Sequence, residues 1–242
     1  MTFRIFNHET KYKKIFGYDW KEEVIGKYND ILKNSVLEGY VWLGSYLPSF
    51  YYQLSKQWVK DKISEINDPD DLKWRAFMEG YLLNVNVYKE LYKLMEKNYL
   101  KAIDINFRDE LVTKHLIQHI CIDYLYNNFD LNRKKSLINK ILDKWDKTQI
   151  VEAIFFFWRQ RGWLVNIKNT KEDLEITKLK KKKRKIISFW KWIYENKFKE
   201  KQDSGFNSDD EKILSDLSRL MIFLPEINSE NLKWLELSAP YI

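Results

Sequence analysis

Residues 211–224 read EKILSDLSRLMIFL. Within this stretch Ile213, Leu214, Leu217, Leu220, Met221 and Leu224 recur at spacings of 3, 4 and 7, the period of one helix face rather than of a strand. Asp216 and Arg219 fall outside the apolar stripe. Pro225 closes it, because proline has no amide with which to continue the helical ladder.

The same punctuation runs outward in both directions. Downstream, a short helix closes on Trp234 and Ala239-Pro240-Tyr241; upstream, Phe189-Trp190 and Trp192 stand on a helix that ends in a Gly/Ser/Asp break. Helix-start signals recur at Asp19 with Glu22, Ser35 with Glu38, Thr170 with Asp173 and Ser208 with Glu211. At this spacing the cap oxygen and a carboxylate three residues on can satisfy orphan amides. Asp68-Pro69 adds a cap followed by proline at the first helical position. Together these signals predict helices near 20–33, 36–47, 49–66, 69–84, 87–103, 107–129, 133–145, 149–161, 171–200, 209–224 and 229–238. Residues Trp163 to Ile167, after Gly162, form one weak strand candidate.

Composition agrees with helices. Only 7 glycines and 4 prolines occur in 242 residues, too few for the corners of a sandwich or barrel. The connections are short, so successive helices are expected to run antiparallel. The expected fold is all-α, with stacked antiparallel helical hairpins forming a HEAT/TPR-like solenoid or an irregular bundle. A hairpin from Trp74 to Tyr99 and another from Leu214 to Trp234 share an architecture without a fixed period. An N-terminal helical-hairpin region is expected over 1–168 and a C-terminal helical region, after a long basic helix, over 169–242, the two forming one continuous array.

The aromatic share is 16%, with 10 tryptophans, about twice ordinary usage. Packing between hairpins is the expected use of these rings. Ile154-Phe155-Phe156-Phe157-Trp158 is apolar all round, so this helix is either the most buried one or keeps one side for a partner. The net charge of +7 permits nucleic acid as a partner without requiring it. A single cysteine, Cys121, leaves no internal disulfide and suits a reducing cytoplasm. The opening residues, MTFRIFNHETKYKK, lack the apolar core of a signal peptide, and no run reaches the length of a membrane span. A cytoplasmic protein with no membrane contact is expected.

Candidate chemistry is sparse. His115 and His119 lie four apart with Asp123 one turn further, so three potential metal ligands share a helix face. Leu116 stands where a metalloprotease motif needs glutamate, and Leu111, Ile122 and Tyr126 line the same side, so seam histidines are the competing reading. Lys178 and the run Lys180, Lys181, Lys182, Lys183, Arg184 and Lys185 form the strongest charge cluster. It reads either as a solvated helix face or as a contact surface for phosphates or an acidic protein. Arg159 and Arg161 join that candidate surface from the end of the apolar helix. Phosphate-loop, dinucleotide-binding, nucleophile-elbow and paired-cysteine motifs do not occur, so no cofactor and no catalytic residue is assigned.

One phrase of the sequence is familiar. Ile187-Ser188-Phe189-Trp190 and Ile193, then Leu214 to Leu220, Phe223-Leu224, Ile227, Glu230-Asn231 and Leu235 to Tyr241, resemble the C-terminal helical-repeat region of large prokaryotic antiviral-defence proteins. Those proteins carry a sirtuin-like NADase or an NTPase at their other end. Trp74 to Gly80, with Val87 to Leu91, is similar to an earlier hairpin of the same regions. The resemblance implies a non-enzymatic recognition or scaffold subunit that meets a phage component or an effector subunit. It carries over no catalytic residues, because the effector domain is absent. The sequence thus offers three readings: a protein-binding scaffold, a nucleic-acid binder using the basic run, and a helical metalloenzyme using His115, His119 and Asp123.

Overall fold

Short caps and apolar stripes build helices throughout the computed structural model, which describes residues 21–34, 37–68, 70–105, 107–126, 131, 136–165, 173–201 and 205–242. Among these residues every regular element is helical and no strand occurs. The order is α1 (Lys21–Lys33), α2 (Leu37–Ser45), α3 (Leu47–Ser49) widening into a π-turn (Phe50–Leu54), α4 (Lys56–Glu65), α5 (Leu72–Asn84), α6 (Lys89–Asp104), α7 (Glu110–Tyr126), α8 (Leu137–Lys144), α9 (Lys147–Arg159), α10 (Arg161–Val165), α11 (Asp173–Ile193) with a π-turn (Tyr194–Phe198), α12 (Ser208–Ser218) tightening to 3-10 (Arg219–Phe223), and α13 (Ser229–Ser238) ending in a 3-10 turn (Ala239–Tyr241). Among the described residues no helix is long and apolar enough to cross a membrane.

The chain divides into two compact units, Met1–Ile105 and Asn106–Ile242. Residues 168 and 169 both fall within the second unit, where α11 packs on α7 and α12 on α9.

In the first unit α2 and α5 cross backbone to backbone. A Cβ added to Gly44 would lie 2.1 Å from the Phe77 carbonyl oxygen, and one added to Gly80 would lie 2.2 Å from the Val41 carbonyl oxygen. Only glycine permits that approach. Ser45 and Asn84 clip the crossing together: the Ser45 hydroxyl donates to the Gly80 carbonyl at 3.3 Å, and the Asn84 amide donates to Ser45 Oγ at 3.1 Å. Beneath it Trp74 is fully buried and donates its indole N–H to Asn98 at 2.8 Å, which satisfies the one polar atom the burial would strand.

In the second unit α9 is the central helix, touched by α7, α8, α10 and α12. Phe157 on α9 meets Tyr124 of α7 and Phe189 of α11, at ring-centroid distances of 6.0 and 5.0 Å. Such edge contacts add about 0.5–1.5 kcal/mol each beyond area burial. Trp190 and Trp234 pack 5.4 Å apart and tie α11 to α13. Here, as expected, the aromatics serve packing: Trp74, Trp190 and Trp234 are all buried.

Several local expectations shift. The cap of α12 is Asn207, boxed with Asp210, one residue ahead of the Ser208–Glu211 pair. Asp71, not the Asp68-Pro69 pair, caps α5; Pro69 lies outside the described residues, as do Asp19, Ser35 and Thr170. The weak strand candidate at Trp163 is helical through Val165, and Asn166 and Ile167 lie outside the described residues. The 211–224 stripe holds through Leu220 and then changes register. The tighter 3-10 winding turns Met221 outward, to 52% exposure, and brings Phe223 inward to full burial.

Candidate recognition face

Helix winding divides the basic run. Lys178, Lys181, Lys182 and Lys185 fall on one stripe of α11, and Lys180 and Arg184 fall on the opposite side. Lys180, Lys181 and Arg184 are exposed, Lys182 and Lys183 are half-buried, and Lys185 is buried. Lys185 belongs to the interior: its ammonium donates to the Tyr124 carbonyl and lies 4.9 Å from the Tyr124 ring. That carbonyl sits in the last turn of α7, where partial negative charge welcomes a cation. The Lys182 ammonium rests 3.4 Å from the Tyr126 ring and 4.8 Å from the Trp163 ring. The run is therefore a partitioned element, part structural and part exposed, and not one uniformly solvated face.

Arg159 and Arg161 both cover rings of α9. The Arg159 guanidinium lies 5.3 Å from the Phe155 ring, while that of Arg161 lies 3.5 Å from Trp158, whose carbonyl it also reaches at 3.3 Å. From the opposite flank Arg219 approaches Trp158 at 5.5 Å and Lys114 approaches Phe155 at 5.9 Å. The two rings are 5.7 Å apart and tilted by 30°.

These rings belong to the outward stripe of α9. Ile154 and Phe157 are fully buried and Phe156 is 6% exposed, but Phe155 and Trp158 are only half-buried. The segment that reads as apolar all round is thus core on most sides and surface on one. Thr148, Val151, Glu152, Phe155, Trp158 and Arg159 follow one another along that side at helical spacing. At its N-terminal half the stripe floors an open groove of about 800 Å³, walled by Leu111 and Lys114 of α7 and by Lys212 of α12. Leu111 is 53% exposed there, a large apolar side chain left at the lip.

Several charges around the groove are paired. Glu152 accepts from Gln118 at 3.0 Å and faces Lys114 at 4.0 Å. Lys147 pairs with Asp209 at 2.6 Å, and Asp216 takes both Lys212 and Arg219 at 3.1 Å. Asp216, expected outside the apolar stripe of α12, is 7% exposed because these two cations cover it. Arg159 and Arg161 cap aromatic faces instead, so the C-terminal end of the stripe is the cationic end.

The histidine pair and Asp123 differ in burial. His119 is buried at 6% exposure and His115 is half-buried, as is Asp123. Among the described residues no group of three His, Cys, Asp or Glu side chains is placed to hold a metal ion. The side expected to form an apolar seam is not one: Leu111 and Tyr126 are 53% and 63% exposed and Ile122 is half-buried, while the buried positions near His119 are Leu116, Ile120 and Tyr124. Cys121 is fully buried, and that burial pushes its thiol well above the ordinary range.

Sequence reading placed Arg219 outside the apolar stripe of α12 and allowed one side of Ile154 to Trp158 to face a partner, but it did not name Phe155, Trp158 or Leu111 as the exposed side chains. The signal for Phe155 and Trp158 was present: Thr148, Glu152 and Arg159 at helical spacing mark the solvent side of α9, and Phe155 falls between them. Comparison with family models, curated proteins and solved structures finds no match for the chain.

Proposed function

We propose that the chain is a non-catalytic recognition or scaffold subunit that seats a partner protein along the outward stripe of α9. The observation that carries this reading is the half-exposed pair Phe155 and Trp158, flanked by four cations beside an open groove of about 800 Å³. Aromatic and arginine side chains at the centre of a rigid surface are the residue types that dominate binding energy. A groove with Val151 in a mixed floor, Leu111 at its lip and charged side chains on its walls suits a folded or helical protein segment.

The resemblance of the C-terminal helices to those of antiviral-defence proteins supplies the biological setting: a cytoplasmic defence complex, whose partner is an effector subunit or a phage component. The test is binding of the products of the neighbouring genes to the wild-type chain and to a Phe155→Ala/Trp158→Ala variant. Binding should weaken at least about tenfold in the variant, with the melting temperature held within a few degrees. A neighbour that binds both proteins equally, or a chain that purifies alone from its native operon, defeats the reading.

A further inference from the structure

A second face of the same unit is chemically different from the groove. It is formed where the end of α7, helix α10 and the first half of α11 meet, and it is built from flat rings and cations rather than from a cleft. Tyr126, the last residue of α7, is 63% exposed, and Trp163 on α10 is 38% exposed. The Lys182 ammonium sits against both rings. One ammonium can cover only one face of the Tyr126 ring, and its 63% exposure leaves the rest of that ring open to solvent. Lys178 and Lys181 continue the Lys182 stripe along α11 and are exposed.

Net charge is concentrated in this unit. Residues 106–242 hold 26 Lys and Arg against 20 Asp and Glu, a net of +6, whereas residues 1–105 hold 16 against 15. The excess positive charge of the chain therefore accompanies the ring-bearing face.

We infer that this face, Tyr126, Trp163, Lys182, Lys178 and Lys181, binds single-stranded nucleic acid. Exposed aromatic planes stack on unpaired bases, and cations between them track the phosphates, a combination that tolerates any sequence. A duplex keeps its bases stacked inside and would leave both rings idle. An acidic peptide would use the cations but offers no succession of flat partners for the rings. This inference does not depend on the protein-binding groove, since it uses different side chains.

The test is fluorescence anisotropy of the full chain with a labelled oligothymidylate of about 20 nucleotides, with the matching duplex and with an oligoglutamate of similar charge as competitor. Three cations on about three phosphates give a log–log salt slope of about −2, so affinity for the single strand should fall about twentyfold between about 50 and about 200 mM KCl. Tyr126→Ala/Trp163→Ala should lower affinity about five- to a hundredfold. Lys178→Glu/Lys181→Glu should lower it about tenfold or more without touching either ring, and Lys180→Glu/Arg184→Glu, on the opposite side of α11, should leave it within about twofold.

Absence of single-strand binding at the lower salt overturns the inference. So does equal or better binding of the duplex, which would reduce the face to a basic patch. Equal loss from the two charge-reversal variants would mean bulk charge alone. Displacement by oligoglutamate as effective as displacement by unlabelled strand would make the partner an acidic protein.

Discussion

Tyr124 and Lys185 bond to each other in both directions: the phenol donates to the Lys185 carbonyl at 2.7 Å, and the Lys185 ammonium donates to the Tyr124 carbonyl. The pair staples the end of α7 to the middle of α11. It also explains why a run of like charges is compatible with a buried seam: the one lysine that reaches the interior finds a helix C-terminus and a ring face.

Removing this staple should therefore cost stability in a way that removing its neighbours does not. Lys185→Met, which strands the Tyr124 carbonyl, is expected to destabilise by about 2 kcal/mol, and Tyr124→Phe by about 1 kcal/mol. Lys180→Glu should stay within about 0.5 kcal/mol. Urea denaturation of the three variants measures all of this. Equal effects at Lys185 and Lys180 would mean that the run is solvated throughout.

The glycines offer a sharper contrast. Alanine at Gly44 or Gly80 drives a methyl into a backbone carbonyl at 2.1 or 2.2 Å, an obstacle that no rotamer can relieve. Either substitution should destabilise by about 3 kcal/mol or more. Gly26 on α1 and Gly162 on α10 have open space where a Cβ would go. There alanine should be neutral or stabilise by up to about 1 kcal/mol, through its better helix propensity and a less free unfolded chain. Thermal melts of the four variants should separate cleanly into these two groups.

How far the sequence could be read depends on what each feature required. Helix class and many helix positions were legible, because period, caps and the scarcity of Gly and Pro are local signals that agree with one another. The register slip at Met221 was not, since a 3-10 turn leaves the spacing of apolar residues unchanged while altering their direction. The role of Gly44 and Gly80 was hidden for another reason: a close crossing pairs residues far apart in sequence, and nothing near either glycine announces its partner. The outward turn of Phe155 and Trp158 was half visible. The polar stripe of α9 marked it, but the surrounding apolar run masked it.

Burial also sets the behaviour of Tyr81. It lies at 0% exposure, and desolvation pushes its phenol up to about 12 despite a hydrogen bond from Tyr99 at 3.1 Å that favours the ionised form. In the unfolded chain the same phenol titrates near its ordinary value of 10.0. Between about pH 10 and about pH 12 the unfolded state therefore binds fewer protons than the folded one, so stability falls as pH rises. Circular dichroism should show stability constant on the approach to about pH 10 and progressive loss above it. Tyr81→Phe, although less stable at neutral pH for want of the Tyr99 partner, should show a shallower alkaline decline.

Cys121 supplies a probe of the α7 seam that needs no mutation. Its thiol is fully buried and held well above the ordinary cysteine range by that burial, with the Glu152 charge a smaller contribution in the same direction. The thiolate is the reactive species, so both access and ionisation oppose modification. A disulfide reagent at neutral pH should leave the folded protein unlabelled over minutes and modify it stoichiometrically once urea unfolds it. If α7 and α9 instead separate readily, as a recognition unit that opens on binding would require, labelling would proceed at a measurable rate in the native protein. That rate, compared with and without a partner seated on the α9 stripe, distinguishes a rigid platform from one that must open, and the packing of Tyr124, Phe157 and Phe189 around each other predicts the rigid one.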